Sequence, residues 1–527
     1  VMMGAPFTQR RASLGWTAAL LFFVPLATYW STIFHRYGMR DDYAILREAR
    51  EEPGKILKVC SSIGRPFYGW LLETSTRAAG GIDGLCWMRL AAAVCLGLLG
   101  SSLFLLLVQE GWSLPIAALL AASLTLTPSA QVIASWAICW PQALALLLGT
   151  GAFALASRGM RCPPGARARW GWWLLAALTM ASATLTYQAS GLFYAVLLAA
   201  SLTVRRDDTL KETLQRMARH LCVMGVGLGL AFLTTQILYV TGVFTRSPRI
   251  AFETHWLSKA GWMVTDVLPH VLALIVLDDT RGTPSVGYLA MVVLTLTTVT
   301  LGIVLEGRRA GATGYWRWLL GLVTLSGAAW CVSFLAGERW PTYRTLYALT
   351  GVWTVFFAAS LVNLGALRPS RGQQLATALL GVFAIAGALL GHRQSFELFA
   401  APQGRELALM EEGVRQIALA KHPRVFVITA RQNDTSAPLR YLDEFGSVSI
   451  DTEWVAKEVL KMLLAERFPD VQERNSLYRF AAGASAPEPR AYDVVIDMRR
   501  LRQAGGDFHA QLDSHDASSR KDVRSTQ

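Results

Sequence analysis

Two adjacent carboxylates open the chemical reading of this chain. They lie in the stretch His35-Arg-Tyr-Gly-Met-Arg-Asp41-Asp42-Tyr43, a few residues past the apolar block Leu14 to Phe34. Acidic side chains beside a lipid edge are costly unless they are solvated, paired or used. A carboxylate within hydrogen-bond reach of a hydroxyl can take its proton as that oxygen attacks an electrophile. Arg40, next to the pair, favours the ionised form. A structural reading stands beside this one. Tyr43–Val59 has helical apolar spacing with Arg47, Glu48, Arg50 and Glu51 on a polar face. Asp is a favoured N-cap, so the doublet also suits the start of a helix lying on a membrane surface.

The elements that must hold this doublet are membrane spans. Of 527 residues, 53% are hydrophobic and 17% charged, where a soluble chain carries about 25% charge. Mean hydropathy is +0.35. These values exclude a disordered chain, a collagen-like chain and an ordinary soluble enzyme. A helical span needs roughly 20 mostly apolar residues. Such blocks occur at 14–34, 87–108, 113–127, 131–156, 172–187, 190–204, 221–239, 286–305, 319–336, 346–364 and 375–390. The expectation is a polytopic α-helical membrane protein with about eleven transmembrane helices. Leu14 to Phe34 has no small-residue cleavage site and reads as an anchor.

The net charge of +13 is topological rather than a nucleic-acid footprint. With Arg10 and Arg11 inside, the clusters Arg158–Arg169, Arg205–Arg219, Arg308–Arg317 and Arg368–Arg371 share one side if Gly261–Leu277 does not cross. That block carries Asp266, Pro269 and His270 and reads as an interfacial or re-entrant helix. The N-terminus is then cytoplasmic. Loops 35–83 and 241–285 and everything after His392 face the other side, the periplasm if the cell is a Gram-negative-type bacterium. The chain divides into a transmembrane part, 1–392, a soluble periplasmic α/β domain, 393–504, and a disordered polar tail, 505–527. Pro423–Ala430 and Tyr492–Met498 read as buried strands and Trp454–Phe468 as a helix. Seven cysteines without a CxxC pair give neither a zinc site nor a disulfide framework. Cys60 and Cys86 are the pair that an oxidising side would join; free thiols are the preferred reading.

In this setting the sequence resembles the GT-C class of integral membrane glycosyltransferases. Those enzymes carry an acidic pair in the first outer loop and use polyprenyl-phosphate sugars. It is most similar to the bacterial GtrII-like group, in which an Asp-Asp pair is followed by Gly-Arg-Pro. Here those residues are Asp41-Asp42 and Gly64-Arg65-Pro66. The resemblance covers roughly 14–392 and implies a GT-C-like catalytic domain in a bacterial cytoplasmic (inner) membrane. It implies a lipid-linked sugar donor and an inverting transfer. One base suffices for such a transfer, whereas a glycosidase needs two separated carboxylates. Asp41 is expected as base with Asp42 positioning the acceptor, and the roles are exchangeable.

The leaving group would be a lipid phosphate, which calls for cations where charge develops. Arg339, Tyr343 and Arg344 lie in the connector Gly337–Arg344, and Arg suits bidentate phosphate contacts. In GT-C enzymes a late outer Arg commonly holds this phosphate, and Arg344 matches it. The same residues also suit an interfacial anchor. Arg65, His255, Lys259 and Arg281 are further candidates to contact donor or sugars. A solvated, headgroup-attracted loop is the competing reading for the second outer loop. Trp136, Trp140, Gln142, Tyr187 and Gln188 suit either a sugar cavity or an interfacial belt. No cofactor is expected. A divalent metal at Asp278-Asp279 with the first doublet is possible chemistry, though no ligand spacing demands it.

The expected function is transfer of a sugar to an acceptor hydroxyl on the periplasmic side. The acceptor would be O-antigen, another glycan, or a protein such as pilin. Two other classes stay open. An O-antigen ligase or polymerase would rely on outer-loop Arg and His, with His255 essential. A lipid-linked sugar transporter or flippase would be expected to show repeats and mid-span charges, which are scarce here.

Overall fold

In lipid every backbone polar group must be paired within the protein, which leaves helices as the way across for apolar runs of this kind. The computed structural model describes residues 7–163, 165–278, 283–367, 371–430, 442–471 and 473–505. Seven helices among them are long and apolar enough to cross a membrane. They are Ser13–Ile33, Leu85–Glu110, Ala137–Arg161, Leu210–Val240, Val286–Leu335, Tyr343–Gly365 and Gly372–Arg415. The pair Leu114–Leu124 and Pro128–Ser135, bent by 54°, makes an eighth. Leu20, Phe23, Phe232, Ile237, Val293 and Val382 on these helices are exposed, forming an apolar exterior of the kind lipid covers.

The fifty-residue helix Val286–Leu335 is a hairpin. Gly311 interrupts it with φ 68° and ψ −159°. Arg317 pairs with Glu306 across the break, yet eleven residues of straight helix would hold them about 16 Å apart along the axis. The chain doubles back, and its arms are the expected spans 286–305 and 319–336. The expected spans 172–187 and 190–204 fall in Arg167–Thr186 and in the shorter run Gln188–Val204. One boundary differs from expectation. The spans set at 113–127 and 131–156 are divided later, because Pro128 starts a second helical leg and the break comes at Trp136, in extended conformation. Gly261–Leu277 holds most of one helical run, Trp256–Trp262, a π-helical turn Met263–Val267, and Leu268–Leu272, which follow one another without a break and stop short of a full span.

Three of the basic clusters, those of Arg161, Arg205 and Arg317, meet at one end of the bundle. Glu110 accepts from Arg161 at 3.3 Å and Arg205 at 2.9 Å. Arg317 donates to the carbonyls of Arg206 at 2.8 Å and Asp208 at 2.9 Å. Asp41, Trp136, Tyr187 and Tyr343 belong to the opposite end. There the Tyr68 hydroxyl donates to Ile138 O, and Ser129 Oγ donates to Tyr343 O.

The first loop at that end folds into three helices, Asp41–Glu51, Lys55–Ser62 and Pro66–Ala79. The helix expected over Tyr43–Val59 is therefore broken, because Gly54 takes φ 85° in the left-handed region that favours glycine. In Gly64-Arg65-Pro66, Gly64 has φ 79° and Pro66 starts a helix, where its missing N–H costs nothing. The polar face of Asp41–Glu51 is covered in part: Arg47 pairs with Glu458, Glu51 and Glu52, while Arg50 and Glu51 stay exposed.

Glu458 belongs to the C-terminal α/β unit. The last long helix continues without a loop from Gly372 to Arg415, through a π-helical turn at Phe396–Ala400, and carries the chain into this unit. Three parallel strands, β1 (Arg424–Ile428), β2 (Arg479–Gly483) and β3 (Val494–Asp497), lie in the order β2-β1-β3. The helix Glu453–Arg467 buries Val455, Val459 and Leu463. β1, β3 and this helix match the expected elements. β2 was not foreseen, since its sequence RFAAG lacks the β-branched residues that mark strands. The tail beyond Gly505, expected to be disordered, lies outside the described residues. All seven cysteines are free.

Candidate active site

Asp41 and Asp42 are the first two residues of their helix, where negative charge complements the helix dipole. Their side chains meet different surroundings. Asp42 is fully buried. Its Oδ2 accepts the N–H of Met39 at 2.9 Å, and its Oδ1 accepts that of Ile138 at 3.2 Å. Burial pushes its pKa up to about 7 against these two bonds. Beneath it Arg89, with no exposed surface, donates to the carbonyls of Ile33, Tyr37 and His35 at 3.1, 3.0 and 2.6 Å. That clamp fixes the segment joining the first span to the doublet.

Asp41 is partly exposed. Among the described residues, no hydrogen bond or ion pair engages its carboxyl. Burial raises its pKa, and the cation that most offsets this is Arg344, ahead of Arg40. Arg40 is occupied elsewhere, with Glu444 at 2.9 Å and Asp451 at 3.4 Å. Its backbone sits at φ 42° and ψ −105°, a strained conformation for a non-glycine residue, and its N–H donates to Ser449 Oγ at 3.0 Å.

Arg344 begins the helix Tyr343–Gly365. Its guanidinium lies 4.5 Å from the centre of the Trp136 ring, within cation–π range. It lies within electrostatic range of Tyr187, over whose ring Arg65 sits at 4.4 Å. Arg65 Nε donates to Gln188 Oε1 at 2.8 Å. Asp41, Arg344, Arg65, Trp136 and Tyr187 therefore surround one region at one end of the bundle. The floor is set by the break at Trp136 and by the extended Tyr187 between two helices.

The other sequence candidates lie apart from this group. Lys259 is fully buried, and its Nζ donates to Ala336 O at 2.8 Å and Glu338 O at 2.7 Å. Arg339 donates to Ser258 Oγ at 2.9 Å and lies 3.5 Å from Glu253. His255 is exposed and precedes the helix Trp256–Trp262. Tyr343 is buried, its ring packed against Phe445 at 5.5 Å and His270 at 6.2 Å. Asp278 accepts the N–H of Ser285 at 3.0 Å. Arg281 and Asp279 lie outside the described residues. Among the described residues, no three His, Cys, Asp or Glu side chains converge to hold a metal ion.

The segment Leu442–Asp451 of the C-terminal unit completes the site, and the sequence reading missed it. Asp443 faces Arg344: Nη2 to Oδ1 is 2.9 Å and Nε to Oδ2 is 3.1 Å. The segment is pinned from behind. Glu406 accepts the N–H groups of Ser449 at 3.0 Å and Ile450 at 2.8 Å, and Gln403 donates to Ser447 O at 2.8 Å. A cavity of about 520 Å³ adjoins, lined by Trp262, Asp266, His270, Asp278, Tyr288 and Leu442 among others. No local signal marks Asp443, which lies 99 residues from its partner.

No protein-family model matches the chain, and no curated protein matches it. Among solved structures, it is similar to an Archaeoglobus fulgidus oligosaccharyltransferase tethered to an acceptor peptide. Identity is 13% and TM-score 0.45, over 90% of this chain and 64% of the other. A second match is ArnT from Cupriavidus metallidurans bound to undecaprenyl phosphate. Identity is 14% and TM-score 0.42, over 81% and 83% of the two chains. The chain thus spans less than two thirds of the oligosaccharyltransferase's length.

Proposed function

We propose that this chain is an integral membrane glycosyltransferase of the GT-C class, with Asp41 as general base. The observation that carries this reading is the division of labour in the acidic doublet. Asp42 is spent on two backbone N–H groups, while Asp41 has no partner among the described residues and is partly open. Arg344, Arg65, Trp136 and Tyr187 stand around it.

The chemistry follows from these positions. An acceptor hydroxyl gives its proton to Asp41 as its oxygen attacks the anomeric carbon of the donor sugar. The bond from that carbon to the phosphate oxygen breaks, and its electron pair leaves with the phosphate. Attack from the face opposite the leaving group inverts the centre. Arg344 offers a planar fork for the phosphate, and its charge gains strength in a water-poor site. Trp136 and Tyr187 supply flat apolar walls suited to a sugar ring. Asp42 holds the doublet in place through Ile138 and Met39.

The donor in this reading is a polyprenyl-phosphate-linked sugar, presented at the membrane edge where the doublet lies. The basic clusters at the far end of the bundle orient that end towards the cytoplasm. Asp41 and the C-terminal unit then face the periplasm of a bacterial inner membrane. The acceptor is a periplasmic glycan or a protein such as pilin, with the C-terminal unit roofing its approach. The exposed position of His255, outside the group around Asp41, favours a base-assisted transferase over a ligase built on outer-loop histidine.

Mass spectrometry of surface glycans and pilin from cells with and without the gene tests this function. Loss of one sugar residue from either is expected. Identical glycans and pilin in both strains contradict it.

A further inference from the structure

Arg344 is the side chain that the proposed function gives to the donor phosphate, yet a carboxylate already occupies its fork. Asp443 meets Nη2 and Nε in the side-by-side arrangement that phosphate oxygens also adopt, and Oδ2 takes the Arg344 backbone N–H at 3.3 Å as well. The Asp443 side chain is fully buried and sits at φ 63°, an uncommon backbone state for a non-glycine residue. Two oxygens of one group thus take the Nε–Nη2 edge of the guanidinium, while Nη1 turns to Cys139 Sγ at 3.9 Å.

The surroundings allow this group to leave. Leu442, next to Asp443, and Pro341, close before Arg344, both line the cavity of about 520 Å³. The segment has a firm base beyond the pair. Phe445 is buried against Phe399 at 4.7 Å and Tyr343 at 5.5 Å. Gly446 lies at φ 71° with its N–H on Leu398 O, and Glu406 holds Ser449 and Ile450. Leu442–Glu444 is the part with room to turn, on a pivot at Phe445–Gly446.

We infer that Asp443 is a built-in stand-in for the donor's phosphate: it closes the Arg344 site at rest, and a lipid-linked phosphate must displace it to bind. This rests on the glycosyltransferase reading and adds a regulatory step to the same site. Displacement also breaks the Arg40–Glu444 pair, which leaves Arg40 beside Asp41 with Asp451 as its remaining carboxylate partner. Two anions cannot share one guanidinium without repulsion, so the exchange is competitive.

Binding of undecaprenyl phosphate to the purified full chain in lipid nanodiscs tests the inference. Asp443→Asn is expected to tighten binding about tenfold, a change worth roughly 1.4 kcal/mol, and Arg344→Ala to weaken it. Unchanged or weaker binding by Asp443→Asn, with Arg344→Ala still weakened, overturns the stand-in alone. Binding indifferent to Arg344→Ala overturns the stand-in together with the phosphate role of Arg344. A measurement on the unaltered protein guards against a misfolded variant. Deuterium uptake over 443–448 is expected to rise on adding undecaprenyl phosphate, because the Ser447 N–H rests on Glu444 O, while Ser449 and Ile450 stay protected. Unchanged or slower uptake there overturns the displacement.

Discussion

Asp42 Oδ1 accepts the N–H of Ile138 at 3.2 Å across 96 residues of sequence. The bond ties the loop after the first span to the break between two membrane passages. In the proposed reaction it also leaves Asp41 rather than Asp42 to take the acceptor's proton. Replacing Asp42 with Ala leaves two buried N–H groups without an acceptor, at a cost of about 1–3 kcal/mol each. Asp42→Ala is expected to lower the thermal midpoint of the purified protein by several degrees, and activity is expected to fall with the folded fraction. Melting followed by intrinsic fluorescence checks this; an unchanged midpoint with lost activity would move Asp42 into the chemistry.

Arg344→Lys keeps the charge and loses the fork. A compact ammonium cannot replace two parallel N–H donors. The variant is expected to raise the KM for the lipid-linked donor about tenfold, the loss of one charge-assisted hydrogen bond. The KM for the acceptor is expected to stay near its original value. Initial rates with each substrate varied in turn separate the two. A rise confined to the acceptor would reassign Arg344.

The pH dependence of transfer follows from the burial of Asp41. A base works when deprotonated, and burial raises its pKa above the ordinary 3.8. The rate is therefore expected to climb with pH through a midpoint above that value and level off on the alkaline side. Arg344 is the largest influence pulling the pKa down. In Arg344→Ala the acid limb of kcat/KM is expected to move to still higher pH. A limb that stays put, or moves down, contradicts an electrostatic link between the two residues.

Much of this arrangement was legible in the residues. Apolar length gave the passages, and the alternation of arginine clusters gave the two ends. The acidic doublet, Gly64-Arg65-Pro66, Trp136, Tyr187 and Arg344 were each visible, because each combines an unusual residue type with a membrane edge. Their company was not visible. Arg65 meets Tyr187 and Gln188 more than a hundred residues away, and no local periodicity encodes such a contact. The split between Asp41 and Asp42 was hidden for the same reason, since it depends on the backbone of Ile138. Asp443 and Glu444 look like ordinary surface acids of a small α/β unit. Their roles appear once the helix Gly372–Arg415 carries that unit over the doublet. Arg40 shows the reverse: its place beside Asp41 suggested a local ion pair, yet its side chain turns to Glu444 and Asp451.

The proton-accepting role of Asp41 is the centre of the account, and single-turnover transfer measures it most directly. Purified wild-type and Asp41→Asn proteins, matched for melting temperature, are mixed with a labelled polyprenyl-phosphate sugar and acceptor. General-base catalysis is worth about 10²–10⁴ in rate. Asp41→Asn is expected to bind the donor with its original affinity and to transfer at least a hundredfold more slowly. Transfer at the wild-type rate by a folded Asp41→Asn protein would contradict it.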